Sequence, residues 1–208
     1  MFNMKRALIL SPHPDDGELG CGGTIARMIE EGCEVQQEVL TLAENYGDQV
    51  IEKGVRVREI GSSQKITGIG NCNLWSGVHR NLRTQCADLL SYLHLTNQMY
   101  QPDIVFMPCV GDLHQDHDTL TREALRVFKK TACLGYEMLW NNLEFKAQCF
   151  IGLDERHVQK KIDALQEYKT QLPRGYLDPK FLESLAITRG MQIGKPFAEA
   201  FEVIRWVA

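Results

Sequence analysis

Short apolar runs alternate with segments of helical periodicity along the chain, and this alternation restricts the folds that the chain can adopt. Strands are predicted over residues 6–10, 35–42, 72–75, 104–107 and 198–207, and helices over residues 22–31, 49–66, 81–100 and 157–170. Strands that alternate with helices are joined by crossover connections, which produce a parallel sheet with helices on both faces. The pattern therefore predicts an α/β fold with a doubly wound, mostly parallel sheet. The length of 208 residues fits one domain, so residues 1–208 are predicted to form a single domain.

Two loops of this predicted sheet are rich in histidine and aspartate. One spans residues 11–22 after the first strand and carries His-Pro-Asp-Asp at residues 13–16. The other spans residues 109–116 after the strand at 104–107 and leads into His-Gln-Asp-His at residues 114–117. Ligands of a doubly wound sheet bind beyond the carboxyl ends of its strands, so both loops should open onto that edge.

The residue types in these loops suit a metal ion. Imidazole nitrogen and carboxylate oxygen are good ligands for Zn²⁺, and a catalytic zinc ion takes three protein ligands and leaves a position for water. His13, Asp16 and His117 would supply such a set. The reaction would also need a base and a donor to a developing oxyanion, for which Asp15 and His114 are the candidates. A His-Pro-Asp-Asp loop alone could be an Asx-capped turn on a solvated face, but two such loops at one edge favour the metal site.

The glycines of the first loop allow a second interpretation. Gly20, Gly22 and Gly23 follow a strand, as in a turn that cradles a phosphate at a helix N-terminus. The spacing matches neither Gly-x-Gly-x-x-Gly nor the Gly-x-x-x-x-Gly-Lys-Ser/Thr motif, which disfavours a dinucleotide or ATP site. We expect these glycines to let the backbone turn sharply beside a metal and to start the helix.

Charge and cysteine usage exclude several classes of protein. The chain has 23 Lys and Arg against 27 Asp and Glu, a net charge of −4, which disfavours a nucleic-acid partner. The apolar runs are too short for a membrane span, and residues 1–11 lack the apolar core of a signal peptide. The seven cysteines include no Cys-x-x-Cys pair, which is typical of reduced thiols. A cytoplasmic location is therefore predicted.

The two loops together resemble those of the PIG-L/LmbE family of zinc-dependent N-acetylglucosaminyl deacetylases. The resemblance rests on His-Pro-Asp-Asp at residues 13–16, followed by Gly22 and Gly23, and on residues 114–117. Weaker parts of the family pattern recur as far as residues 198–201, so the resemblance covers nearly the whole chain. It implies a Rossmann-like fold and hydrolysis of an N-acyl group from an amino sugar or its conjugate.

The resemblance also implies a role for individual residues. The family's zinc ligands fall on His13, Asp16 and His117. Its general base falls on Asp15, and its oxyanion-stabilising histidine falls on His114, which is expected to act in its protonated form. Asp116 falls on the acidic residue that tunes this histidine. The implied cofactor is Zn²⁺, with Fe²⁺ as an alternative in the cell.

Two positions depart from the family pattern. Gly17 stands where many members have glutamate, and Glu18 follows one position later, as in other members. Asp112 stands where some members offer a tyrosine to the substrate, which would leave carbonyl polarisation to zinc and His114. The roles of Glu18 and Asp112 are left open.

Residues outside the two loops could contribute to substrate binding. Arg56 could meet a phosphate or a sugar hydroxyl, and the alternative is an ion pair with Glu59 or Glu52 on the helix surface. Trp75, His79 and Arg80 could wall a sugar pocket, although we favour core packing for Trp75 and an ordinary surface or helix role for His79.

The predicted function is zinc-dependent removal of an N-acetyl group from an N-acetylglucosamine-like sugar or its conjugate. The alternative is a zinc-dependent hydratase or lyase that acts on a small unsaturated keto acid. A non-enzymatic sugar- or nucleotide-binding module with a structural metal is disfavoured, because three ligands leave a position open. The expected partner is a small-molecule N-acyl sugar, without nucleic acid or a membrane span, and a homo-oligomer is left open.

Overall fold

The computed structural model describes residues 4–46 and 49–207. The strands in these residues are β1 (Arg6–Ser11), β2 (Glu34–Val39), β3 (Asn45–Tyr46), β4 (Gln49–Val50), β5 (Asn71–Leu74), β6 (Ile104–Pro108), β7 (Ala132–Tyr136), β8 (Cys149–Leu153) and β9 (Phe197–Arg205). The α-helices are α1 (Asp16–Glu30), α2 (Val55–Thr67), α3 (Cys86–Tyr100), α4 (Gln115–Val127), α5 (Glu155–Leu165) and α6 (Pro179–Met191). Short 3₁₀ turns cover Leu82–Gln85 and Leu172–Arg174.

The main sheet has seven strands in the order β5-β2-β1-β6-β7-β9-β8. Strand β9 runs antiparallel to β7 and β8, and the other neighbouring pairs are parallel. Strands β3 and β4 form a separate two-stranded antiparallel sheet. The predicted α/β class, with a Rossmann-like, mostly parallel sheet, is confirmed.

Strand β1 shows why both faces of the sheet are covered. Successive side chains of a strand point to opposite faces. Ala7 and Ile9 pack in the core that includes residues of α1, α5 and α6, and Leu8 and Leu10 pack in the core beneath α3 and α4. All four side chains are fully buried, so this strand has no polar face, as expected at the centre of a parallel sheet. Among the described residues, no helix is both long enough and apolar enough to cross a membrane.

Helix α1 begins earlier than the sequence predicts. It starts at Asp16 rather than at residue 22, with one non-helical residue inside it, Cys21. A Cβ atom on Gly17 would lie 2.5 Å from Ser11 Oγ, and one on Gly20 would lie 2.4 Å from the Tyr136 ring. These glycines therefore let the helix pack directly on β1 and β7. The prediction that Gly20, Gly22 and Gly23 form a sharp turn before the helix is wrong, because all three lie inside α1, where tertiary packing overrides their low helix propensity.

Candidate active site

The two His/Asp loops meet at one edge of the sheet. Strands β1 and β6 are adjacent and parallel, and the chain leaves their carboxyl ends through these loops. The strand order reverses between β1 and β6, which is where ligands bind in doubly wound sheets. A cavity of about 220 Å³ opens there, and the predicted residues that line it are His13, Asp15, Asp16, Arg56, His114 and His117.

Three of these side chains converge at distances that fit a metal ion. Asp16 Oδ2 lies 3.0 Å from His13 Nδ1 and 3.1 Å from His117 Nε2. The two ring nitrogens are 3.2 Å apart. A tetrahedral ion with bonds of ~2.0–2.1 Å separates its ligand atoms by about 3.3 Å. The predicted ligand set therefore fits a zinc-sized cation.

The charges of this cluster also favour a cation. Burial opposes a charge on His117, but the carboxylates of Asp16 and Asp112 raise the pKa of this histidine to about 10. Burial likewise opposes a charge on Asp16, yet His117 and His13 hold its pKa well below the usual range. The surroundings thus stabilise positive charge at the histidines, which is the charge that a bound metal ion would supply.

A carboxylate orients each of the two histidines. Asp112 Oδ2 lies 2.7 Å from His117 Nδ1, and this contact directs Nε2 towards the cluster. Asp116 Oδ2 lies 3.2 Å from His13 Nε2 and accepts a hydrogen bond from the backbone amide of Arg80, while Asp116 Oδ1 accepts one from the backbone amide of Leu82. Such partners fix the ring orientation of metal-binding histidines. The sequence leaves the role of Asp112 open, and in the structure Asp112 orients the His117 ring.

Asp116 contacts His13 and His114 through different groups. Its carboxylate contacts His13, and its contact with His114 is made by its backbone amide, which donates to His114 Nδ1 over 3.2 Å. His114 is the N-cap of α4, and this hydrogen bond satisfies one of the free amides of the first turn.

The protonation state of His114 follows from the same contact. Because Nδ1 accepts a hydrogen bond, the ring proton lies on Nε2. Burial, together with the charges of His117 and His13, lowers the pKa of His114 to about 4. The structure therefore favours a neutral His114 that donates from Nε2, in place of the protonated form expected from the sequence.

Asp15 is a buried carboxylate with an unused acceptor. It is 5% exposed, and among the described residues no donor reaches its Oδ2 atom. Burial and the charge of Asp16 raise the pKa of Asp15 to about 6, against an opposing effect of Arg56. A carboxylate with a pKa near 6 is ionised at neutral pH and can still accept a proton, as a general base requires.

Arg56 belongs to the pocket rather than to the helix surface. The residue is 2% exposed, and its Nη1 atom lies 3.6 Å from Glu59 Oε2. Within the described residues, Arg56 Nε and Nη1 make no hydrogen bond. The ion pair with Glu59 is present. The expectation that it lies on the helix surface is wrong, because α2 packs the Arg56 side chain against the cavity.

His79 is a residue that sequence reasoning underestimated. It lines the cavity, and its ring centroid lies 4.9 Å from that of His13 and 6.4 Å from that of His114. The next residue, Arg80, has a φ of 61°. Its backbone amide donates a hydrogen bond of 2.6 Å to Asp116 Oδ2, which stabilises this turn. The sequence signal for a role of His79 in the cavity is its position, with Arg80, after a predicted strand.

Trp75 packs against the core, as favoured from the sequence, and its ring stacks on that of Tyr92.

Two further groups of donors surround His13. The ring nitrogens of His13, His114 and His117 lie within 4.8 Å of one another, and so do donor atoms of His13, His79 and Asp116. We favour Asp16 over His114 as the third ligand, because Asp16 Oδ2 lies 3.0 and 3.1 Å from the two ring nitrogens and His114 Nδ1 is already used by the cap of α4.

Glu18 lies behind the first loop, away from the metal cluster. It is fully buried, and its carboxylate accepts hydrogen bonds from Ser63 Oγ at 2.7 Å and Gln37 Nε2 at 3.0 Å. The Tyr168 hydroxyl lies 2.8 Å from both Glu18 Oε1 and the Pro14 carbonyl oxygen. Glu18 thus ties the loop to α2 and to the segment after α5.

Comparison with known proteins gives relatives of two activities. The chain is 28% identical over 173 residues to the uncharacterized deacetylase YaiS of Escherichia coli K12, covering 80% of this chain and 91% of YaiS. It is similar in structure to the N,N'-diacetylchitobiose deacetylase of Pyrococcus horikoshii, with a TM-score of 0.74, 20% identity, and coverage of 97% of this chain and 84% of that one.

A hydratase shares the same fold. GalB, the 4-carboxy-2-hydroxymuconate hydratase of Pseudomonas putida KT2440, aligns with a TM-score of 0.81 and 20% identity over 99% of this chain and 98% of its own. At this level of identity, both structural similarities show the fold alone. The family described as PIG-L, GlcNAc-PI de-N-acetylase, matches residues 8–128, which contain both His/Asp loops. The chain therefore belongs to the PIG-L family.

Proposed function

We propose that the protein is a metal-dependent N-deacetylase that hydrolyses the N-acetyl group of an N-acetylglucosamine-like sugar or its conjugate. The observation that carries the proposal is the unpartnered carboxylate oxygen of Asp15 beside the three converging ligands His13, Asp16 and His117. Family membership and the similarity to a deacetylase support the same reaction.

The proposed cofactor is Zn²⁺, with Fe²⁺ as the alternative. His13, Asp16 and His117 would hold the ion, since two imidazoles and one carboxylate suit either metal. When bound, such an ion supplies Lewis acidity, which polarises a carbonyl and acidifies a water molecule.

The residues of the chain would then move the protons of the reaction. Asp15 accepts a proton from the attacking water, because its pKa of about 6 leaves it ionised at neutral pH. His114 donates a hydrogen bond from Nε2 to the oxyanion that forms when water adds to the acetyl carbonyl. The proton on Asp15 passes to the departing nitrogen as the carbon–nitrogen bond breaks. The products are acetate and the free amine.

A mass-spectrometric screen for acetate loss across N-acetylhexosamine derivatives tests this function. In ¹⁸O-labelled water, the label should enter the released acetate, because the attacking oxygen comes from the solvent. His13→Ala, Asp16→Ala and His117→Ala should lose bound metal, whereas His114→Ala should retain metal and lose ~10²-fold or more in turnover. Equal metal loss in all four variants would contradict the assigned roles.

A second candidate function is hydration of a small unsaturated keto acid, which the similarity to GalB favours. Asp15 could activate water for addition to an alkene as well as to an amide. The two candidates differ in their products. The hydratase assignment would replace the deacetylase assignment if two results were obtained. No N-acyl sugar would release acetate, and an unsaturated keto acid would take up water in a reaction that Asp15→Asn abolishes.

A further inference from the structure

An exposed aromatic side chain lies at the rim of the cavity, outside both metal loops. Trp140, in the loop between β7 and β8, lines the cavity and is 43% exposed. Its indole stacks on the ring of Tyr176, with centroids 4.4 Å apart and an angle of 13° between the planes. Tyr176 covers one face of the indole, and the Phe181 ring lies 6.4 Å from it at an angle of 58°, so the exposed 43% of Trp140 is the part available to a ligand.

The Trp140 loop is tied to the loop that carries His114. Leu113 donates its backbone amide to the Asn141 carbonyl oxygen over 3.1 Å. Asn142 Nδ2 donates to Cys109 Sγ over 2.9 Å. The indole is therefore held at a fixed place relative to the metal cluster, and a rigid aromatic surface binds a ligand at a low cost in conformational entropy.

Tyr176, which supports the indole, is anchored from the other side of the cavity. Its hydroxyl donates to Gln171 Oε1 over 3.2 Å and accepts from Arg174 Nη1 over 3.4 Å. Gln171 and Arg174 also line the cavity. An aromatic face with polar groups along its edge matches a sugar ring, which presents an apolar face of C–H groups and an edge of hydroxyl groups.

The size of the cavity shows where a second ring would lie. Its volume of about 220 Å³ is below the ~300–1,000 Å³ of pockets that enclose drug-sized ligands. The cavity therefore accommodates one small ring beside the metal ligands. A group attached to that ring must cross the rim, where the indole is exposed.

We propose that Trp140, backed by Tyr176, forms a subsite for a second pyranose that is glycosidically linked to the N-acyl sugar. The inference rests on the proposed function, since it places the N-acyl sugar in the metal pocket. It makes Trp140 a specificity-determining residue that separates conjugates from the free monosaccharide.

Steady-state kinetics on two substrates test the subsite. The probes are N-acetylglucosamine and a disaccharide in which N-acetylglucosamine is linked to glucose. Trp140→Ala should lower kcat/KM for the disaccharide about tenfold or more and leave the value for the monosaccharide within about twofold. Trp140→Phe should retain most of the disaccharide kcat/KM of the parent.

Trp206→Ala, at a tryptophan of similar exposure (48%) near the C-terminal end of β9, is the matched control and should change neither kcat/KM value. Equal effects of Trp140→Ala on both substrates would overturn the subsite.

A binding measurement separates the subsite from the reaction. In a Trp75→Phe, Trp206→Phe protein, Trp140 is the remaining one of the three tryptophans, so its fluorescence reports on the rim. The disaccharide should change this fluorescence in an additional Asp15→Asn background, and the monosaccharide should change it less. Disaccharide binding without acetate release from the parent enzyme would refute the deacetylase and keep the subsite. Acetate release that is independent of Trp140 would refute the subsite alone. A change in the sedimentation mass of Trp140→Ala without an effect on binding would assign the residue to a contact between copies and overturn the proposal.

Discussion

Asp15 and Glu18 are buried carboxylates at the start of the same helix, and their surroundings are opposite. Glu18 accepts hydrogen bonds from Ser63 and Gln37 and contacts the Tyr168 hydroxyl. Asp15 faces the cavity with an oxygen that no described donor reaches. Burial raises the pKa of both carboxylates, so burial alone does not identify the reactive one. The difference lies in hydrogen bonding, since a satisfied buried carboxylate stabilises structure and an unsatisfied one is available for chemistry.

The largest expected effect separates the two carboxylates by function. Asp15→Asn should lower acetate release by ~10²-fold or more, because the proton acceptor is lost. The metal-free variant should be at least as stable as the parent at pH 8. The sign follows from linkage: folding raises the pKa of Asp15 to about 6, so the ionised carboxylate destabilises the folded state as pH rises above its unfolded pKa. Activity assays and thermal unfolding check both effects.

Glu18→Ala should show the reverse behaviour. It removes hydrogen bonds from Ser63, Tyr168 and Gln37, and each lost bond costs ~1 kcal/mol. Tyr168 and Gln37 keep the Pro14 carbonyl oxygen and Ser11 Oγ as acceptors, whereas the Ser63 hydroxyl loses its acceptor. We expect a loss of about 3 kcal/mol in the free energy of unfolding, which corresponds to ~6–12 °C in Tm. Turnover per folded molecule should be retained below the transition. Loss of turnover with unchanged Tm would remove the distinction between the two carboxylates.

The next expected effect concerns the cation preference of the metal cluster. The carboxylates of Asp16 and Asp112 raise the pKa of His117 to about 10, so without metal this histidine carries a proton at neutral pH. Metal binding must release that proton, and the affinity should therefore rise about tenfold per pH unit between pH 6 and pH 8. Calorimetric titration in buffers of different ionisation enthalpy counts the protons. A pH-independent affinity would show that His117 is not a ligand.

The sequence predicts strands β1 and β6 of the main sheet but not strand β7 beside them. Strands β1 and β6 are apolar on both faces, and the loops after them contain the predicted ligands, so the place of the site at the carboxyl edge of the sheet could be inferred. Strand β7 was missed, because its five residues include Gly135, where a Cβ atom would lie 2.7 Å from the Cys109 Cα atom. Such close packing is a tertiary property that local propensity does not contain.

The site could be predicted only as far as the loops extend in sequence. His13, Asp16 and His117 come from two motifs, and their convergence follows from the adjacency of β1 and β6. Trp140 and Tyr176 come from segments with no periodicity that would place them at the cavity. Their contribution depends on how the loops after β7 and α5 cross the sheet edge. The buried position of Arg56 likewise follows from the packing of α2 and not from its sequence.

A smaller effect is expected from the guanidinium that faces Asp15. The charge of Arg56 lowers the pKa of Asp15, against the larger effects of burial and of Asp16. Arg56→Met should therefore raise this pKa and move the acidic limb of the kcat/KM profile to higher pH. Turnover at pH 6 should fall several-fold more than turnover at pH 8. Arg58→Met, at an exposed position of the same helix, is the control and should leave the profile unchanged. An identical loss at every pH would indicate that Arg56 only binds substrate.

The smallest expected effect tests whether the Glu18 hydrogen bonds can be changed without affecting the reactive cluster. Ser63→Ala removes one of the donors to Glu18 and should cost about 1 kcal/mol, or ~2–4 °C in Tm. The Ser63 hydrogen bond lowers the pKa of Glu18, so its removal penalises the ionised carboxylate, and the loss of stability should be greater at pH 8 than at pH 5.

Ser62→Ala, on the same helix, is the control, and its free energy of unfolding should stay within about 0.5 kcal/mol of the parent value. Turnover should be unchanged in both variants, because Glu18 touches the loop from behind and Asp15 keeps its place at the cavity. A loss of turnover in Ser63→Ala that parallels its loss of stability would mean that the two carboxylates act as one network.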